Sequence, residues 1–278
     1  MIDTHVHLWR YASPWMAWLA DRPPSWDIIR RDFAWADLRR ELDAAHVAEV
    51  ILMQACTTPE ETVMLLEIAE QQPSVLGVVG WATLRSPAAT ERQLEDFDGK
   101  LVGLRNNHLW APDGDIIGRE QCLASVRLLS ARGLPLDLHF PDYTSLPLAL
   151  RLVEQVPDVR LVIDHLGKPD LGKPATFASW SEAIAPLSRH PDVFLKYSGW
   201  ATFTGRTEPS DVQRYIDRAI ELFGTERIIF ASNWPVALVA GSYRDTYDAT
   251  LSTLAGLSAV DLDNIMYGSA RRCYLNRQ

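Results

Sequence analysis

Glu49-Val50-Ile51-Leu52-Met53 and Arg160-Leu161-Val162-Ile163 are apolar at almost every position instead of every second one. A strand with one wet face alternates, so runs of this kind belong to strands covered on both sides, as in parallel sheets wrapped by helices. Working outward, strands are predicted near residues 1–7, 49–54, 76–82, 101–107, 134–140, 160–165, 193–198 and 227–232. Amphipathic helical patterns separate them at 35–46, 59–72, 117–132, 143–156, 177–190, 209–223 and 243–254, and 261–275 closes the chain. Helix starts are marked locally. Thr58-Pro59-Glu60-Glu61 supplies an N-cap, a first-position proline and acidic residues in the first turn, and Ser210 and Ser258 are similar caps. Strand and helix in eightfold alternation predict one (β/α)8 barrel over residues 1–278; the competing arrangement is a doubly wound open sheet.

The chain has 278 residues, 47% hydrophobic and 23% charged, which suits one large core. Its 27 basic and 36 acidic residues give a formal charge of -9, which argues against nucleic acid or an anionic membrane as a partner. Cys56, Cys122 and Cys273 are odd in number and scattered, without metal or disulfide spacing. No leader pattern and no apolar run long enough to cross a bilayer is present, so a soluble cytoplasmic protein is expected, its oligomeric state left open.

In an α/β barrel, chemistry gathers where strands end and loops begin. The first predicted strand delivers His5 and His7, two apart and therefore on one side, able to share a metal ion, a water or a substrate oxygen. The fourth ends in Leu104-Arg105-Asn106-Asn107-His108, the fifth in Asp137-Leu138-His139 and the sixth in Ile163-Asp164-His165-Leu166-Gly167-Lys168. The seventh ends in Lys196-Tyr197-Ser198-Gly199 and the eighth in Ser232-Asn233-Trp234-Pro235. Five of seven histidines thus reach one rim, while His46 and His190 fall at helix ends. Arg105 and Lys168, with Lys196 behind them, are candidates for holding a carbonyl or carboxylate; an ion pair with Asp137 or Asp164 is the structural alternative. Trp9, Trp81, Trp110, Trp200 and Trp234 also follow strand ends, where indoles line a sugar or lactone ring or simply fill gaps between loops.

Together, Asp3-Thr4-His5-Val6-His7-Leu8-Trp9, Asp164-His165-Leu166-Gly167-Lys168-Pro169, Lys196-Tyr197-Ser198-Gly199 and Ser232-Asn233-Trp234-Pro235-Val236 resemble the amidohydrolase superfamily, in its lactonase-rich branch. The resemblance runs along the whole chain and implies a distorted barrel that hydrolyses a small cyclic ester, most readily a sugar-acid lactone, at its C-terminal face. It implies metal ligation or hydrogen bonding by His5 and His7, and catalytic roles for His139, His165 and Lys168. Without a lysine in residues 101–107 the carbamate-bridged binuclear centre is not expected, so at most one divalent ion, zinc, is implied. Without metal the same histidines would donate hydrogen bonds to the carbonyl oxygen.

One position departs from the family. Asn233 stands where resembling sequences carry an aspartate that accepts the proton of the attacking water, and a carboxamide carries no charge and is no base near neutral pH. Two expectations follow: another base such as His139 or His165, or an impaired substrate-trapping or binding-only chain. A decarboxylase or hydratase of a small acid on the same barrel is the alternative enzyme class, and the missing eighth-strand acid counts against it too.

Overall fold

The structure is a computed structural model and describes residues 1–97, 99–107 and 116–276. Eight parallel strands pair in sequence order. They are β1 (Ile2–Val6), β2 (Glu49–Met53), β3 (Val75–Gly80), β4 (Leu101–Asn106), β5 (Leu136–Leu138), β6 (Leu161–Ile163), β7 (Val193–Tyr197) and β8 (Ile228–Phe230). The sheet nearly closes. Beyond β8, Trp234 forms a parallel bridge with Val6, and its carbonyl accepts from the His7 N–H at 2.8 Å. Thr4 Oγ1 donates to the Phe230 carbonyl at 2.8 Å across the same seam. Closure rules out the open sheet.

Both faces of β2 and β6 are buried, as their unbroken apolar character predicts. Strands β5, β6 and β8 are shorter than their apolar runs suggest, three residues each. The chain leaves the ladder early there, so His139 and Asp164 directly follow the last strand residue and Asn233 stands three positions beyond it. The helix Pro87–Asp96 between β3 and β4 lies outside the sequence expectation, although Ser86 caps it by accepting the Ala89 N–H and proline opens it. Residues 14–29 between β1 and the first long helix fold as short helical turns bearing Trp15, Trp18 and Trp26.

Two apolar regions hold the barrel. One fills the space between strands and outer helices. The other joins Ile2, Ile51, Val79, Val102, Val162, Phe194 and Ile229 to Ala270, Cys273 and Tyr274, so the last helical turns of the chain seal the inside of the barrel at the end away from the rim. β1 serves both levels through an irregularity between Asp3 and Val6. Strict alternation from Ile2 would put Thr4 and Val6 on its side; the shift instead puts His5 and His7 on the side of the rim residues they contact. Asp3 holds this bulge. Its Oδ1 accepts from the His5 N–H (3.2 Å) and the Ser232 N–H (3.0 Å), and its Oδ2 from the Tyr243 hydroxyl (2.9 Å).

Candidate active site

The barrel interior carries charge one step above the apolar seal. Lys196, on β7 and fully buried, donates to Asp137 Oδ2 of β5 at 2.6 Å, and Tyr274 donates to the same carboxylate at 2.7 Å. Lys196 Nζ also lies 3.6 Å from Asp164 Oδ1 and 3.4 Å from His5 Nδ1. Arg105 Nη1 completes the ring, 3.3 Å from Asp164 Oδ2 and 3.1 Å from His5 Nε2, while Nη2 donates to the Gln54 carbonyl at 2.5 Å. Two carboxylates and two cations balance, as dry charge requires. Burial pushes Asp137 up to about 6 against the pull of Lys196. Burial acts upward on Asp164 too, but Lys196 and then His5 outweigh it and hold the carboxyl well below its usual range. Of the two readings the sequence allowed for Lys196, the structure gives the ion pair: its ammonium is buried beneath the rim.

Above this layer the histidines converge. The ring of His5 lies 4.8 Å from that of His7 and 4.9 Å from that of His165, and His165 lies 5.5 Å from His139. Residues 139 and 165 therefore meet the amino-terminal pair at one end of the barrel. Burial keeps His7 and His165 neutral, each lowered to about 3, and holds His5 and His139 well below their ordinary value. His7 Nδ1 lies 2.9 Å from the Met53 carbonyl, which can only accept, so the proton is on Nδ1 and Nε2 presents a lone pair. His165 Nδ1 is 2.7 Å from Ser198 Oγ.

The segment after β6 explains why the Asp164–Lys168 sequence is what it is. His165, Leu166, Gly167 and Lys168 all have φ between 52° and 68°. Each non-glycine residue costs roughly 1–2 kcal/mol in that left-handed region. Three bonds hold the turn: Lys168 N–H to the His165 carbonyl (2.8 Å), Trp180 Nε1–H to the Leu166 carbonyl (2.8 Å) and Tyr143 N–H to the Lys168 carbonyl (3.2 Å). Its effect is to deliver His165 and Lys168 to the same rim. Gly199 is required opposite, because a Cβ there would sit 2.7 Å from the His165 ring. Lys168 Nζ lies 5.4 Å from the centroid of the Phe203 ring, and burial lowers its pKa to about 8.

Asn233, nearly buried, also has positive φ (62°) and donates through Nδ2 to Thr202 Oγ1 at 3.3 Å. Trp9, Trp200 and Trp234 are 3%, 2% and 1% exposed. Trp9 and Trp234 pack edge-on against Phe33, and Trp9 Nε1 donates to the Arg31 carbonyl, so for these two gap filling dominates. Trp81 is half-buried at the rim. Trp110 and His108 lie outside the described residues. Several buried polar atoms that follow strand ends on this rim have no hydrogen-bond partner among the described residues: Asn107 Oδ1, and Nε1 of Trp81 and Trp234. In a folded protein such atoms mark places for water or ligand.

Metal donors are present, and His5 of the β1 pair is among them. Among the described residues, the compact set is His5, Asp164 and His165, all buried, with one ligand atom from each within 4.8 Å of the others. Two imidazoles and a carboxylate are the ligand types that suit a divalent ion of the zinc type. Asp164 was legible as an ion-pair partner; its place among these donors depends on the turn after β6. Glu61 had no signal in sequence, being one acid in a helical first turn. It is buried, accepts the N–H groups of Ala55 (3.0 Å) and Cys56 (2.7 Å), and so fixes the loop after β2 whose Gln54 carbonyl holds Arg105.

Comparison with known proteins agrees with this geometry. A family model, Amidohydrolase, matches residues 2–275. An L-fucono-1,5-lactonase of Burkholderia multivorans is 29% identical over 297 residues, covering 98% of this chain and 95% of that protein. A protein of the same name from Burkholderia ambifaria is 33% identical over 254 residues, covering 90% and 85%. A crystal structure of an amidohydrolase from Burkholderia multivorans with bound Zn superposes with a TM-score of 0.90 at 30% identity, covering 99% of both chains.

Proposed function

This chain belongs to the amidohydrolase family, and from that premise we propose that its rim histidines open the cyclic ester of a small sugar-acid lactone by attack of water. The observation that carries the reading is the meeting of His5, His7, His139 and His165, from three strands remote in sequence, over one buried charged layer. The relatives named as L-fucono-1,5-lactonases support an aldono-1,5-lactone as substrate class.

Ester hydrolysis needs a nucleophile, a stabilised oxyanion and a proton for the leaving alkoxide. The buried imidazoles are neutral at physiological pH and therefore available as hydrogen-bonding groups for water and carbonyl. With Nδ1 donating to Ser198 Oγ, His165 turns Nε2 to the mouth as acceptor for the water proton, the role that Asn233 cannot fill. Arg105 supplies fixed positive charge beneath the developing oxyanion. Lys168, with its pKa near 8, is suited to return a proton to the ring oxygen as the C–O bond breaks. Half-buried Trp81 offers its unpaired indole N–H to a ring hydroxyl. A divalent ion held by His5, Asp164 and His165 would supply Lewis acidity and lower the pKa of a bound water from about 15.7 toward about 7, with His165 then a ligand and not the proton acceptor.

The test is proton release from a panel of aldonolactones and aromatic-derived lactones, run with this chain and Asn233→Asp side by side. Saturable hydrolysis of an aldono-1,5-lactone is expected, with turnover preserved or raised in Asn233→Asp. A clear fall in that variant contradicts the assignment of Asn233 to the place of the water, and a panel without any accelerated lactone removes the activity itself.

A further inference from the structure

Most enzymes that offer two histidines and a carboxylate to a metal leave those ligand atoms facing an open space. Here His5 and Asp164 face cations. Arg105 Nη1 lies between His5 Nε2 (3.1 Å) and Asp164 Oδ2 (3.3 Å), bridging two ligands as an ion would. We propose that Arg105 competes with a divalent ion for His5 and Asp164, so that this chain carries a built-in cation where metal would otherwise bind.

The guanidinium has no acceptor and is always protonated, so His5 Nε2 must be the acceptor of that contact, and its lone pair is engaged. With the shorter contact to Arg105 taken at Nε2, the proton of His5 lies on Nδ1, between Asp164 Oδ1 at 3.6 Å, which accepts it, and the ammonium of Lys196 at 3.4 Å, which makes no hydrogen bond to it. Neither nitrogen is free for a metal while Arg105 stays in place. Nor is Arg105 loosely held. Its Nη2 donates to the Gln54 carbonyl, the Gln54 side chain donates back to the Arg105 carbonyl at 3.3 Å, and Glu61 holds the next two residues of that loop. On the far side Lys196 faces His5 and Asp164 at 3.4 and 3.6 Å. The layer is thus electrically complete: Asp137 and Asp164 answer Lys196 and Arg105. A dication entering it would meet two fixed positive charges a few ångströms away in a dry interior, where such repulsion is poorly screened. To use His5 and Asp164 together, the ion must displace the guanidinium.

The measurement is equilibrium Zn2+ affinity, read by competition against a chromogenic chelator at fixed pH, for the native chain and for Arg105→Met. Removing the competitor is expected to tighten Zn2+ binding by at least about tenfold, the scale on which neighbours of metal ligands act. A second comparison separates competition from a general change of charge. His5→Ala should hardly alter Zn2+ affinity in the native background, where His5 is engaged by Arg105, but should weaken it about tenfold or more in the Arg105→Met background. Thermal melts report whether Arg105→Met folds; if it does not, Arg105→Gln, neutral and polar toward Gln54, takes its place in both comparisons. Equal or weaker Zn2+ binding without the arginine overturns the proposal, as does an equal effect of His5→Ala in both backgrounds. Because the readout is binding, it stands or falls independently of whether the chain turns over lactones.

Discussion

The two ends of the barrel interior are built from the same eight strands and do opposite things. At the sealed end Ile2, Ile51, Val102, Val162, Phe194 and Ile229 pack on Cys273 and Tyr274. Two or three residues further along the chain from Ile2, Val102, Val162 and Phe194 stand His5, Arg105, Asp164 and Lys196, buried just as deeply but polar or charged. The difference teaches how this fold divides labour. Apolar burial at one end supplies the free energy that allows, at the other, left-handed turns, compensated buried charge and polar atoms without partners.

Substitutions that act on one end alone would sharpen that division, and one that acts on both would break it. The largest expected effect is at the rim: His165→Asn, tolerated in the left-handed region, should lower kcat/KM for the lactone by roughly a hundredfold to ten-thousandfold, the usual range for a lost acid–base group. The denaturation midpoint should stay close to native. At the sealed end the signs reverse. Ile229→Ala should cost about 2–5 kcal/mol in denaturant unfolding, the range for a buried large-to-small change, while leaving kcat/KM within about threefold.

The pH profile addresses the rim again. Lys168 is lowered to about 8, so its ammonium is present below that pH and lost as pH rises through it. After correction for spontaneous hydrolysis, kcat/KM should fall about tenfold per unit above pH 8. The rim histidines, His7 and His165 being near 3, should add no limb near 6.5. Lys168→Met should abolish the alkaline limb; a limb that persists there assigns it to another group. The smallest effect is expected from Trp81→Phe, which removes one unpaired indole N–H and should raise KM by about two- to tenfold with kcat little changed.

Much of this was legible in the sequence, for reasons that differ by residue. Glu49–Met53 betrayed a two-sided burial because burial is written in composition, and the converging histidines followed once strand ends were known. His5 and His7 share a side as their spacing predicts, yet the bulge at Asp3 that orients them depends on Ser232 and Tyr243, more than two hundred residues away. The trio of His5, Asp164 and His165 was hidden for a similar reason: Asp164 and His165 are adjacent, and adjacent strand residues point apart unless the backbone turns, as it does after β6. Lys196 could be read as a substrate contact or an ion pair, and only depth in the barrel decides for Asp137. Tryptophans mark gaps between loops as readily as pockets, which is why Trp9 and Trp234 lie in packing against Phe33.

In the proposed reaction, imidazoles from opposite parts of the chain act on one reactant. A double-mutant cycle on kcat/KM for an aldono-1,5-lactone hydrolysed in the panel, using His5→Ala, His165→Asn and the pair, addresses this directly. Residues serving one reaction centre give non-additive losses, so the double variant should be little worse than the weaker of the single variants. Losses that simply multiply would show the two rings working apart and contradict the account.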